Sequence, residues 1–171
     1  PKPLTFDALL EPLQACYESL VSCGLIEMAR GLLWDTVRRA HCFGPYLIRL
    51  DIRQESGRHR SALSAMTQML EIGDYSEWPE AQRIAWLQSE LSNPRPLIPW
   101  DSPFDAKDRE VLDTFKTIAA TPEAALGVYV ISMASAPSDV LAVQLLLRAT
   151  GCSERMQVVP LFETLADLDL S

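Results

Sequence analysis

The sequence predicts an α/β protein, mostly helical, built on about three parallel strands. Three observations predict it. The first is the order β run, helix, β run in the last third: "GVYVISMA" (127–134), "PSDVLAVQLLLRATG" (137–151) and "MQVVPLFET" (156–164). Short links between such segments imply parallel strands with a right-handed crossover. The second is "LIRLDIRQESGRH" (47–59), whose first half alternates between apolar and charged residues as a strand does. The third is helical periodicity over most of the remaining chain. A parallel sheet needs both faces covered or closure on itself. Three strands leave two open edges, so the sheet is expected to be an arc of something larger.

In chain order, residues 6–24 carry a helical stripe of Leu9, Leu10, Leu13, Cys16, Tyr17, Leu20 and Val21, stopped by Gly24. Pro12 must sit in the first turn or kink this helix. A second helix is expected over 26–40, with Leu33, Val37 and Ala40 on one side, and "CFGP" (42–45) is a turn. A strand follows at 46–53, with Tyr46, Ile48, Leu50 and Ile52 on one face and Arg49, Asp51 and Arg53 on the other. Helices are expected at 59–71, 79–92 and 105–120, with Met66 and Met69 as core residues. "NPRPLIPWDSP" (93–103) holds four prolines and reads as an extended loop. The later strands are expected at 128–133 and 156–162. The helix between them starts with Pro137 at its first position and ends before Gly151. Its polar stripe is narrow, chiefly Gln144 and Arg148, so it is expected to be largely buried.

The 171 residues suit a single domain, 1–171, with 48% hydrophobic and 22% charged residues. No apolar run reaches membrane-span length and no signal peptide is read, so a cytoplasmic location is expected. The abrupt start at Pro1 leaves open both an excised fragment and a natural product. Cys16, Cys23, Cys42 and Cys152 form no C-x-x-C pair and there are two histidines, which argues against structural zinc. The cysteines are expected to be reduced and buried. A net charge of -8 argues against nucleic acid or anionic membrane as partner. Yet Arg49, Arg53, Arg58 and Arg60 cluster with His59, a local basicity suited to a small anion.

Sites on parallel sheets form at the carboxyl ends of strands. Those ends carry Arg53, Ser132 to Ser135, and Glu163. Arginine offers a bidentate fork to phosphate or carboxylate, and glutamate can bind magnesium or manganese. The charged strand face has two readings: a solvated or salt-bridged face, or one that a further anion completes. Glu163 taken alone also fits a helix cap or a surface residue. Asp139, at the third helical position, is most simply a cap of that helix. His59 lacks a neighbouring nucleophile, so no triad is indicated, and no Gly-rich phosphate loop is present.

The blocks "LIRLDIRQESGRH", "EIGDY", "REVLDT", "YVISMASAPSDVLAVQLLL" and "VVPLFETL" resemble consecutive segments of phosphoenolpyruvate carboxylase, bacterial and plant type. "LEPLQACYESLVSCG" and "HCFGPYLIRL" extend the resemblance upstream, over about residues 9–169. The resemblance implies a central fragment of a (β/α)8, TIM-like barrel wrapped in extra helices, with 59–120 a helical insertion between strands. It implies carboxylation of phosphoenolpyruvate by bicarbonate to oxaloacetate and phosphate, with Mg2+ or Mn2+, in an allosteric homotetramer. Arg53 matches a substrate-contacting arginine and Glu163 one of two metal carboxylates. The family's catalytic histidine lies upstream. Its second metal carboxylate, lysine segment and glycine/arginine-rich loop lie downstream, so the fragment alone is expected to be inactive. Ala136 stands where a helix N-cap favours Ser, Thr or Asp, so a weakened cap is expected. Two alternatives stand beside this: a non-catalytic assembly or regulatory module derived from that enzyme, and a different barrel enzyme acting on a phosphorylated acid.

Overall fold

The computed structural model describes residues 4–97, 102–152 and 156–163. The chain divides into two compact units, residues 1–49 and 50–171. In the first, α1 (Phe6–Ser22), α2 (Ile26–Ala29) and α3 (Leu32–Phe43) form a small helical unit. Thr5 caps α1, its Oγ1 accepting the Ala8 N–H at 3.2 Å. The helix runs on through Pro12, which cannot donate to the carbonyl of Ala8. The single helix expected over 26–40 is broken instead, because the chain leaves helical geometry at Gly31. Leu10, Val37 and Ala40 make the small core of this unit. Leu25, Met28 and Leu32 are exposed, as are Cys16, Cys23 and Cys42, against the expectation of buried thiols.

The second unit runs β1 (Leu50–Glu55), α4 (Ser56–Met69), α5 (Glu80–Ser92), α6 (Ala106–Ala120), β2 (Leu126–Ser132), α7 (Pro137–Ala149) and β3 (Val158–Pro160). The strands form one parallel sheet in the order β1-β2-β3. The fold is thus α/β and mostly helical, as expected. β1 starts later than the residue pattern suggested: Gly44–Tyr46 is a 3₁₀ turn and Leu47 has φ +63°, which interrupts any extended run from Tyr46. Tyr46, Ile48 and Arg49 therefore lie outside the strand. The loop 93–103 lies partly outside the described residues, at 98–101.

Strand register sorts the two faces. Ile52, Tyr129 and Val158 share one level and all pack into the main core with Leu63, Phe115, Leu146 and other helix residues. Arg53, Val130 and Val159 share the next level and so the opposite face, and none belongs to that core. Met66 is buried, whereas Met69, in the last turn of α4, is exposed. α5 and α7 are tied at both ends. Glu80 of α5 accepts from Ser138 near the start of α7, and Arg148 of α7 donates to the Glu90 and Asn93 carbonyls at the end of α5, at 2.6 and 2.7 Å. Cys152 is buried.

Candidate functional site

The carboxyl ends of β1 and β2 are braced by polar contacts. Ser56, the first residue of α4, is buried and its hydroxyl donates to the carbonyl of Met133 at 2.7 Å. The Asp139 carboxylate accepts the N–H groups of Ser135 and Ala136 at 2.9 and 3.1 Å, and its other oxygen takes Arg60 at 3.2 Å. Asp139 is thus a helix cap, as the sequence suggested, and also a buried anchor for α4. The weakened cap expected from Ala136 is made good from outside. The Glu80 carboxylate accepts both the N–H and the hydroxyl of Ser138, at 2.9 and 2.7 Å. The Ser138 N–H is one that an N-cap oxygen would have satisfied.

The arginine cluster disperses. Arg58 turns to α6, donating to the Lys107 carbonyl at 2.9 Å and Glu110 at 3.0 Å. Arg60 is taken by Asp139. His59 is buried, with Nε2 2.8 Å from the Tyr129 hydroxyl and its ring beside Phe115. Desolvation lowers its pKa to about 4, so it is neutral at pH 7 and adds nothing to the local basicity. Burial likewise raises the Tyr129 phenol above its ordinary range. Asp51 is bound to the sheet: its Oδ1 accepts the Val128 N–H at 3.0 Å. Arg53 is left exposed, with no hydrogen bond or ion pair among the described residues.

Glu163 is exposed and stands three residues after β3. Register places Arg53 level with Val159, so Glu163 lies four residues farther along and the two do not share a level of the sheet. No group of three or more His, Cys, Asp or Glu side chains among the described residues is arranged to hold a metal ion. Residue types missed the Ser56–Met133 bond and the role of Glu80. A serine opening a helix and a glutamate in a first turn read alike whether or not they reach a distant segment.

A family profile described as phosphoenolpyruvate carboxylase matches residues 4–171. The chain belongs to the phosphoenolpyruvate carboxylase family. It is 58% identical over 161 residues to a phosphoenolpyruvate carboxylase of Ectopseudomonas mendocina, which covers 94% of this chain and 18% of the relative. It is 54% identical over 165 residues to that of Vibrio atlanticus, covering 96% of this chain and 19% of the relative. It is 53% identical over 168 residues to that of Pectobacterium carotovorum, covering 97% and 19%. The chain therefore spans about a fifth of the length of these phosphoenolpyruvate carboxylases.

Proposed function

We propose that the chain contributes the Arg53 side of a phosphoenolpyruvate carboxylase active site, in which bicarbonate and phosphoenolpyruvate give oxaloacetate and phosphate. The observation that carries this is Arg53 itself: an exposed guanidinium without a partner among the described residues, on the sheet face away from the helical core. Phosphoenolpyruvate presents a phosphate and a carboxylate, and an arginine fork binds either bidentately. A fixed cation there also stabilises negative charge that builds up on the reacting oxygens. The open edges of the sheet support its being an arc of a (β/α)8 barrel, with α4 to α6 as the insertion between two strands.

Glu163 supplies one carboxylate past the end of β3, with β2 lying between that strand and the one that carries Arg53. Mg2+ or Mn2+ takes about six oxygen ligands, so the described residues do not make a metal site by themselves. Glu163 would be one ligand of a site completed by other parts of the enzyme, polarising the substrate there. The family's assembly as a cytoplasmic, allosteric homotetramer belongs to this same reading. The isolated chain is accordingly inactive.

The test uses a full-length relative carrying this chain in place of its matched segment. Arg53→Ala should raise KM for phosphoenolpyruvate about 10- to 100-fold, as expected for lost charge-assisted hydrogen bonds. An unchanged KM would remove Arg53 from the substrate site. The isolated chain should form no oxaloacetate in an assay coupled to malate dehydrogenase.

A further inference from the structure

We propose that Asp51 and Ser56 are positioning residues for Arg53: they tie β1 to β2 on either side of it and so fix the level at which its guanidinium meets the substrate. The inference rests on the reading of Arg53 given above and deepens it. Two residues before Arg53, the Asp51 Oδ1 accepts the Val128 N–H at 3.0 Å. Three residues after it, the Ser56 hydroxyl donates to the Met133 carbonyl at 2.7 Å. Both bonds join residues 77 apart in the chain, the same offset as the pairing of Arg53 with Val130.

That offset is not uniform along the sheet. Leu50 is opposite Leu126 but Ile52 is opposite Tyr129, so the register shifts just before the level of Arg53. A bulge of this kind disrupts the backbone ladder and leaves its extra residue unpaired. Gly127 and Val128 fall inside the shift, and the Asp51 carboxylate supplies the acceptor for Val128. At the other end β1 stops at Glu55. There the buried Ser56 takes over, holding the carbonyl of Met133, whose left-handed φ of +54° leads the chain out of β2. Arg53 is thus bracketed by side-chain bonds where the ladder is interrupted and where it ends. A slip of one residue would reverse the faces of β1, turning Arg53 toward the helical core and Ile52 out of it. A much smaller shift matters to a bidentate contact, since misplacement by about 1 Å can cost about 100-fold. Both residues are satisfied by the main chain of β2, so they act through Arg53 and not on the substrate.

The experiment uses the same full-length chimera and measures KM and kcat for phosphoenolpyruvate alongside melting midpoints. Asp51→Ala and Ser56→Ala should each raise KM about three- to tenfold, with a smaller fall in kcat. Asp51→Asn keeps an acceptor for the Val128 N–H and removes the charge, so its KM should stay within about twofold of native. Ser56→Thr keeps the hydroxyl and should do the same. Gly127→Ala displaces the Asp51 carboxylate without altering it, so it should raise KM as Asp51→Ala does, and it serves as the test if Asp51→Ala does not fold. In an Arg53→Ala background none of these changes should move KM further, because the group they act through is gone. A merely structural role gives a different result: lower melting midpoints and fewer active molecules at an unchanged KM. That result overturns the proposal, as does an equal rise in KM with and without Arg53. If Arg53→Ala by itself leaves KM unchanged, the reading of Arg53 falls and this one falls with it.

Discussion

Asp51 completes the hydrogen bonding of the neighbouring strand: its carboxylate accepts the Val128 N–H at 3.0 Å, in place of a backbone carbonyl. The register shifts here, with Leu50 opposite Leu126 but Ile52 opposite Tyr129, so β2 carries one extra residue. Asp51, flanked by arginines in sequence, is thus occupied by a main-chain donor.

That relationship dictates the glycine beside it. A Cβ on Gly127 would lie 2.2 Å from Asp51 Oδ1, so the carboxylate would have to leave. Gly127→Ala should destabilise the chain by about 2 kcal/mol, from the displaced bond and local strain. In an Asp51→Ala background the same change should cost clearly less, because the nearest remaining atom is the Leu50 carbonyl at 3.4 Å. Urea unfolding of the four variants gives the coupling directly.

His59 makes stability depend on pH. Its pKa falls from 6.5 unfolded to about 4 folded, chiefly by desolvation, with the Asp139 charge opposing and Arg58 adding. The unfolded state therefore takes up the proton first. Stability is full above about pH 6.5 and declines as pH falls to about 4, by roughly 3 kcal/mol at most. His59→Phe should flatten that slope. Melting midpoints of both proteins between pH 7 and pH 4 check it, and parallel slopes would exclude His59 as the cause.

The borrowed cap of α7 is open to a rescue experiment. Glu80→Ala should cost about 1–2 kcal/mol by orphaning the Ser138 N–H. Ala136→Ser should add little to the native chain, whose N–H is already satisfied, but should recover stability in the Glu80→Ala background. Denaturant midpoints decide between this and a Glu80 that contributes only surface charge.

Thiol exposure gives a simple count. Cys16, Cys23 and Cys42 are exposed and Cys152 is buried. A chromogenic disulfide reagent added to the native chain should titrate three thiols quickly and the fourth at the rate of unfolding.

For the site, Arg53→Lys should recover only part of the loss caused by Arg53→Ala. A lysine keeps the charge but not the planar fork. The measure is KM for phosphoenolpyruvate in the full-length chimera, and full recovery would reduce the role of Arg53 to charge alone.

The element types were legible because periodicity survives in a single sequence. α4, α5, α6 and α7 lie within a few residues of their expected spans, and the strand–helix–strand unit at 126–160 is present. Boundaries were less legible where backbone conformation, not side-chain pattern, decides. Alternation of apolar residues ran back to Tyr46, but the 3₁₀ turn at Gly44–Tyr46 and the left-handed Leu47 start the strand at Leu50. Arg53, expected to close a strand over 46–53, stands two residues before the end of β1, and Glu163 stands three residues past β3.

By itself, then, the sequence determined the α/β class, the parallel order implied by a short crossover, and the family. These are local or patterned properties, carried by residues close together in the chain. Only the tertiary structure decided which cations are already spent: Arg58 on Glu110, Arg60 on Asp139, and His59 made neutral by burial against Tyr129. It also decided that Glu80 caps a helix 58 residues away and that Ser56 holds Met133 across 77. Such contacts depend on where folding brings two distant segments, and a polar side chain carries no mark of the partner it will meet.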